Sequence, residues 1–203
     1  MAKIDLKKEL CELYAPSAKK CSVVDVPELR FLMVDGVGDT NTSQAYEEAI
    51  EALYGVSYTL KSLSKAQGND YVVMPLEGLW WVDDMAEFSI EAKSAWSWTA
   101  MIMQPRHLTE ADVEAAFEQV RRVKDPPALD LVRFESYAEG LSVQIMYFGA
   151  YADEGPTIAR LHEFAIDSGH RLRGKHHEIY LSDPRRTGPE RLKTVIRQPV
   201  EPG

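Results

Sequence analysis

The sequence predicts an α+β fold made of two strand-helix-strand-strand units, related by a pseudo-twofold axis, with antiparallel sheet and a ligand groove between them. Three observations support this prediction: strand-like apolar runs open both halves, a glycine-containing acidic turn follows each run, and an amphipathic helical pattern comes next. The first unit spans about residues 22–104 and the second about residues 141–200, joined by a helix at about 109–124. The whole chain, residues 1–203, is therefore expected to form one domain.

The first unit begins with the strand-like run at 22–34, after a short helix predicted at 3–13. A turn at 35–39 and the capping residues Asn41-Thr42-Ser43 then lead into a helix predicted at 44–66. Two further strands are predicted in YVVMPLEGLWW and SAWSWTAMIMQ.

The second unit follows the connecting helix, which starts with a capping-box-like Thr109-Glu110-Ala111-Asp112 and stops at Pro126-Pro127. The segment LDLVRFESYAEG is predicted to be a link, and LSVQIMYF the next strand. A helix at 156–169 has proline at its start and glycine at its end, the usual asymmetry. The strands HHEIYL and LKTVIRQPV complete the unit.

Composition narrows the classes of function. The formal charge of −9 argues against nucleic-acid binding, which needs a clustered basic surface, and favours cationic or neutral small molecules. The chain contains no run of about 18 apolar residues, so no membrane span is expected. The charged N-terminus does not resemble a signal peptide. Two cysteines without metal-type spacing indicate reduced thiols in a cytoplasmic protein. The expected oligomeric state is a monomer or a homodimer.

One carboxylate, Glu178, lies within the strand-like run HHEIYL. Alternation puts His176, Glu178 and Tyr180 on one face of that strand, opposite the apolar Ile179, so Glu178 must face water or a cavity. In a cavity it could hold a cationic group or act as a general base toward water. The ordinary alternative is a solvated glutamate paired with a nearby basic residue.

All four tryptophans lie within residues 80–98, and the acidic pair Asp83-Asp84 follows Trp81. Clustered aromatic residues commonly pack between a sheet and its helices, and that explanation accounts for at least two of the four. The acidic residues directly after Trp81 favour at least one indole in a ligand pocket. The five histidines show no metal-ligand spacing, and Gly36-Val37-Gly38 lacks the third glycine of a dinucleotide loop, so no metal and no cofactor is expected.

The C-terminal run GKHHEIYLSDPRRTGPERLKTVIRQPV resembles the GyrI-like small-molecule-binding superfamily, in particular its stand-alone branch of cyclopropanoid cyclopropyl hydrolases. The lead-in RFLMVDGVGDTNTSQAYEEAIEALYGVSYTLK and the central EGLWW carry the same resemblance, which covers about residues 20–200. It implies a groove between the two units that binds bulky, planar or cationic drug-like compounds. It also implies a role in detoxification. The resemblance does not extend to the DNA-binding domain of the transcription-factor members.

Through these motifs the central glutamate of the superfamily corresponds to Glu178, and the aromatic patch to Trp80 and Trp81. The sequence pattern adds further predicted ligand-binding residues, which are Trp98, Met101, Met103, Tyr137 and Phe148. Tyr147 or Tyr180 is the expected proton donor beside Glu178, and the two remain alternatives.

Two hypotheses from different classes follow. In the first, the protein hydrolyses the strained cyclopropane of DNA-alkylating compounds, with Glu178 activating water and a tyrosine protonating the oxygen that develops charge. In the second, the protein is a non-catalytic module that sequesters or senses amphipathic cationic drugs.

Overall fold

The computed structural model describes residues 3–82 and 96–203, so Asp83-Asp84 lies outside the described residues. In the described part the helices are α1 (Leu6–Glu9), α2 (Cys11–Tyr14), α3 (Gln44–Ala66), α4 (Glu110–Val123) and α5 (Gly155–Asp167). The strands are β1 (Ser22–Val37), β2 (Leu76–Trp81), β3 (Ser97–Gln104), β4 (Arg133–Phe148), β5 (His170–Leu172), β6 (His176–Tyr180) and β7 (Lys193–Pro202).

The strands pair antiparallel in the order β4-β1-β3-β2-β6-β7-β5, and β4 also pairs with β7. Six strands therefore close into a barrel-like ring, with β5 attached to the end of β7. The strand β4 allows this closure because it is 16 residues long. Its first part pairs with β1 from Arg133 to Gln144, and its last part pairs with β7 from Ser142 to Phe148.

Closure gives every strand an inner and an outer face. The outer face carries two helices: α3 packs on β1 and β3, and α5 packs on β4 and β7. Under α5 the buried contacts are apolar, between Leu161 and Ala165 of the helix and Val143, Ile145 and Ile196 of the sheet. The strands β2 and β6 lie between these two covered regions, and a groove runs over them.

The inner face is filled by side chains, including a buried charged network. His177 contacts both Glu77 and Glu139 at 3.0 Å through its two ring nitrogens. Arg197 lies 3.1 Å from Glu139 and donates to the Leu13 carbonyl oxygen of α2. The Tyr14 hydroxyl donates to Glu77 at 2.7 Å. The N-terminal segment is thus tied to the barrel interior by hydrogen bonds to buried charges.

The predicted α+β class is confirmed. The first half has the order β1, α3, β2, β3, and the second has β4, α5, β6, β7 with the unpredicted short strand β5 before β6. A pseudo-twofold relation between the halves stays a prediction. The predicted link at 129–140 is wrong over its second part, because residues 133–140 form the start of β4 and pair with β1. The predicted turn at 35–39 begins too early, since β1 continues to Val37 through pairing with β3. The N-terminal helix is broken at Leu10 into α1 and α2.

Candidate functional site

The groove over β2 and β6 holds a cavity of about 1290 Å³ that follows one flank of α3. Aromatic rings make up much of its wall, and they come from five parts of the chain: α3, β2, the residue before β3, the turn before α5, and β6. They are Tyr46, Tyr54, Tyr58, Trp80, Trp96, Tyr151 and Tyr180. Tyr46 and Tyr54 are eight residues apart on α3 and therefore share the helix face that looks over the groove.

Glu178 lines this cavity as a buried carboxylate, with only 6% of its surface exposed. Alternation along β6 places Glu178 on the outer face, while His177 on the inner face joins the charged network. The Tyr180 hydroxyl donates a hydrogen bond of 2.7 Å to Oε2, and His176 Nε2 lies 3.3 Å from Oε1. The Glu154 side chain, also buried at the start of α5, lines the same cavity.

These contacts favour the ionised form of Glu178. Burial alone raises the pKa of the carboxyl, but His176, Tyr180 and Glu154 together outweigh burial and hold the pKa below its ordinary value. The opposite shift occurs at Tyr180, where burial and the neighbouring Glu178 charge raise the pKa well above its ordinary value. The pair is thus a carboxylate that accepts a hydrogen bond from a neutral phenol.

Trp80 lies beside Glu178 because of Gly78. Gly78 pairs directly with Glu178 across β2 and β6, and a Cβ atom added at Gly78 would lie 2.9 Å from the Trp80 indole nitrogen. The indole therefore occupies the space that any larger residue at position 78 would need. Its ring centre is 5.6 Å from Trp96 and 6.2 Å from Tyr46.

The charged groups around the cavity are predominantly acidic. Among the described residues, the carboxyl groups that line it are Glu47, Glu51, Glu154, Glu178 and Asp183, and the cationic side chains are Lys7, Lys124 and Arg185. Lys124 lies 3.6 Å from Glu51, and Arg185 lies 3.0 Å from Asp183. After these two pairs carboxyl groups remain in excess, which favours a cationic ligand over an anionic one.

Three of the predicted site residues line the cavity together: Glu178, Tyr180 and Trp80. Trp98 shares the outer face with Trp80 but is only 1% exposed, with its ring against Gly36 and 5.0 Å from Tyr46. Trp98 therefore supports the cavity wall from behind.

Four other predicted residues lie on the inner face of the barrel. Met101 and Met103 pair with Met33 and Phe31 of β1 and are fully buried there, since odd positions of β3 point away from the groove. The other two are Trp81 and Tyr137. The Trp81 ring lies under Lys175 Nζ at 3.3 Å, and Tyr137 packs against Phe31.

The predicted residues at the end of β4 also lie outside the cavity lining. The Tyr147 hydroxyl donates to the Ala150 carbonyl oxygen at 3.0 Å, and half of the Phe148 surface is exposed. The strand turns away from the groove here because its last residues pair with β7 on the side covered by α5.

Sequence reasoning missed Tyr46, Tyr151 and Glu154. The spacing of Tyr46, Ile50 and Tyr54 along α3 was the available signal, since residues four apart share a helix face. No local pattern could have identified Glu154, because its place in the cavity depends on how the distant segments that form the cavity are arranged in the fold.

Among residues 3–82 and 96–203, no cluster of three or more His, Cys, Asp or Glu side chains has a geometry that could hold a metal ion. Within those same ranges, no helix is both long and apolar enough to cross a membrane.

Solved structures that resemble this one cover almost the whole chain. Two solved structures from Listeria innocua, one described as an uncharacterized conserved protein and one as a hydrolase, are 40% identical over 98% of this chain and 100% of theirs, with TM-scores of 0.91 and 0.86. The EcmrR C-terminal domain, at 13% identity over 91% of this chain and 98% of that one, shares the fold with a TM-score of 0.57. Comparison with curated proteins gave no match.

Residues 19–201 match the family model of the GyrI-like small-molecule-binding domain, which is nearly the full length of the chain. The barrel, the groove between two helices and the aromatic wall around a buried glutamate are all contained in that range. The chain belongs to the GyrI-like small-molecule-binding domain family.

Proposed function

We propose that the protein binds bulky planar or cationic small molecules in the groove and hydrolyses the cyclopropane of cyclopropanoid DNA-alkylating compounds. The observation that carries the proposal is the buried Glu178 carboxylate in a cavity walled by aromatic rings. The hydrolase description of a Listeria innocua protein that is 40% identical over its full length supports the choice of reaction class.

In the proposed binding mode, the flat substrate lies against the aromatic wall to which Trp80 and Tyr46 contribute. Aromatic pairs of this kind contribute about 0.5–1.5 kcal/mol each beyond the area they bury. A cationic substituent would gain from the acidic excess around the cavity and from the indole faces. The strained ring would then lie near Glu178, held for attack by water.

The proposed reaction adds one water molecule. The water oxygen bonds to the cyclopropane CH₂ carbon, one ring C–C bond breaks, and its electron pair moves through the conjugated ring to the carbonyl oxygen, which becomes a phenolate. Glu178 takes the proton that the water loses, and a tyrosine protonates the phenolate.

Tyr180 is the better supported of the two predicted proton donors. It lines the cavity, and its raised pKa keeps the hydroxyl protonated near neutral pH, so that a proton is available there. After it gives up that proton, protonated Glu178 can return one across the same 2.7 Å contact. Tyr147, whose hydroxyl is bonded to the Ala150 carbonyl oxygen outside the cavity lining, has no such path.

The test is incubation with a cyclopropanoid alkylator, followed by mass analysis for a product that is heavier by one water. Wild type should form this product, and Glu178→Gln should form it at the rate of the buffer alone. Equal product from both proteins would overturn the role of Glu178, and no product above the buffer rate would overturn hydrolysis.

The second candidate is a non-catalytic module that sequesters or senses amphipathic cations. The acidic excess around the cavity favours it, because that excess attracts cations whether or not chemistry follows. Unmodified compound together with quenched tryptophan fluorescence would support this candidate over hydrolysis.

A further inference from the structure

The Tyr180 hydroxyl is already engaged within the protein. It donates its hydrogen to Glu178 Oε2 at 2.7 Å, and a phenol has no second hydrogen to donate. The Glu178 carboxylate itself only accepts hydrogen bonds. A ligand with an oxygen acceptor therefore needs another donor at this end of the groove for as long as Tyr180 is bonded to Glu178.

Tyr151 has a hydroxyl group next to this pair. Its ring packs edge-on against the ring of Tyr180, with the ring centres 5.4 Å apart and the planes at 76°, and it lines the same cavity. Burial and neighbouring charges act on the Tyr151 hydroxyl, and none of the residues in 3–82 and 96–203 accepts a hydrogen bond from it. This hydroxyl is thus a donor that the described part of the protein does not use.

The turn that carries Tyr151 is held in place by its own hydrogen bonds. Residues Tyr151–Asp153 form one turn of 3₁₀ helix before α5. The carbonyl oxygen of Ala150 accepts from the Tyr147 hydroxyl at 3.0 Å and from the Asp153 N–H at 2.9 Å. Tyr147 can reach Ala150 because position 149 is glycine, where a Cβ atom would collide with the Tyr147 hydroxyl. A turn fixed in this way positions the Tyr151 ring before a ligand arrives.

The surroundings of Tyr151 keep its hydroxyl protonated. Burial, followed by the negative charges of Glu178, Glu154 and Asp183, raises the pKa of Tyr151 to about 12. The side chain is therefore a neutral phenol near pH 7 and can donate a hydrogen bond.

We propose that Tyr151 is a further ligand-binding residue of the groove, whose hydroxyl donates a hydrogen bond to a carbonyl oxygen at the edge of a planar ligand. In the proposed reaction this oxygen is the one that becomes a phenolate, so Tyr151 stabilises the charge that develops there while Tyr180 supplies the proton. The groove then recognises the oxygen of a planar ketone as well as its ring system. This inference rests on the proposed binding function.

The competing donor is Tyr46 on the α3 wall, which also lines the cavity. Its ring packs against the indoles of Trp98, at 5.0 Å, and Trp80, at 6.2 Å. The ring of Tyr151 instead packs against Tyr180, whose hydroxyl is bonded to Glu178. This ring contact is the reason for choosing Tyr151, and the experiment includes both tyrosines.

The experiment measures the carbonyl stretching frequency of fluorenone, a neutral planar ketone, bound to the intact protein. Isotopic labelling of its carbonyl carbon separates this band from those of the protein in infrared difference spectra. A hydrogen bond to the carbonyl oxygen lowers the frequency relative to its value in a hydrocarbon solvent. The frequency should be lowered in wild type and should return to the hydrocarbon value in Tyr151→Phe.

Calorimetric titration of the same proteins gives a second readout. Tyr151→Phe should bind fluorenone about three- to tenfold more weakly than wild type, as expected for the loss of one hydrogen bond. The affinity for fluorene, which has the same ring system without the oxygen, should not change.

Two other phenylalanine variants make the result specific to Tyr151. Tyr71→Phe is the matched control, because it removes a buried hydroxyl that has no partner among the described residues and does not line the cavity. Its carbonyl frequency and affinities should equal those of wild type. Tyr46→Phe keeps the ring that lines the cavity and should leave the frequency lowered.

The outcomes separate this inference from the function on which it depends. Fluorenone bound to wild type at the hydrocarbon frequency would overturn the role of Tyr151 without any variant. A lowered frequency that persists in Tyr151→Phe, or one that is lost in Tyr46→Phe instead, would overturn it as well. Each of these results leaves the binding function standing. Failure of wild type to bind both fluorenone and fluorene would overturn the binding function and the inference with it.

Discussion

At the residue scale, the site depends on a carboxylate that stays ionised although it is buried. The local alternation HHEIY was enough to predict that Glu178 and Tyr180 share a face opposite Ile179, because a strand has a period of two. The same rule puts Trp98 on one face of β3 and both Met101 and Met103 on the other face. The face of the strand to which each side chain points could therefore be predicted from the sequence. The position of Glu154 in the cavity could not.

Tyr180→Phe should lower turnover, because the proposed proton donor is lost, and should shift the pH dependence of the turnover that remains. The Tyr180 hydrogen bond helps to lower the pKa of Glu178, so its loss raises that pKa. Because a general base works only when ionised, the acid side of the rate profile should move to higher pH. Rates of water addition measured across pH test this, and a profile with an unmoved acid limb would contradict the contact between the two groups.

Gly78→Ala should disturb the groove through Trp80. The added Cβ atom would lie 2.9 Å from the indole nitrogen, so the ring must move, at a cost of about 1–3 kcal/mol. We expect weaker quenching of tryptophan fluorescence by a bound planar cation. Gly55→Ala is the control: its Cβ meets Val120 at an ordinary 3.8 Å, and alanine should stabilise α3 by about 1 kcal/mol. Equal quenching in both variants would argue against Trp80 as a wall.

At the element scale, the two faces of β6 carry side chains with different roles. Glu178 faces the groove, and His177 lies inside the barrel between Glu77 and Glu139. Burial lowers the pKa of His177, but the two carboxylates outweigh it and raise the pKa to about 9. Burial raises the pKa of Glu139, but His177 and Arg197 outweigh it and lower the pKa to about 2.

These shifts predict how stability depends on pH. The contribution of His177 is complete below its ordinary pKa of 6.5 and is lost as the pH rises through about 9. The contribution of Glu139 is complete above 4.5 and is lost as the pH falls toward about 2. The free energy of unfolding should therefore be highest between these ordinary values.

His177→Gln should cost about 3 kcal/mol of stability, because Glu77 and Glu139 would remain buried without their shared cation. It should also remove most of the alkaline loss of stability. Urea unfolding across pH measures both effects, with His170→Gln on the separate strand β5 as the control. An alkaline limb that persists in His177→Gln would contradict the charged state of this side chain.

At the scale of the whole molecule, a closed barrel separates an interior that stabilises from an outer groove that binds. The α+β class and most of the strands and helices could be predicted from apolar periodicity, which is a local signal, whereas the short strand β5 was not. Closure could not, because it depends on β4 pairing with β1 and β7 at once, and the first part of β4 reads as a polar link. The buried charged network inside the barrel could not be predicted either, because its residues are far apart in the sequence.

Tyr14→Phe tests this separation. The Tyr14 hydroxyl donates to the buried Glu77 carboxylate inside the barrel, so its loss should cost about 2 kcal/mol. The dissociation constant for a planar cation should not change, because Tyr14 does not line the groove. Unfolding and binding measured on the same variant check both statements. A large loss of affinity at temperatures where the variant is folded would contradict the separation.

The measurement that tests the central claim most directly is the rate at which a cyclopropanoid compound gains one water in the presence of wild type, Glu178→Gln and Glu47→Gln. We expect Glu47→Gln to keep nearly the wild-type rate and Glu178→Gln to lose about 10²-fold or more, as expected for removal of a general base. Equal losses in the two variants would mean that only the overall charge of the groove matters. That result would contradict a catalytic role for Glu178.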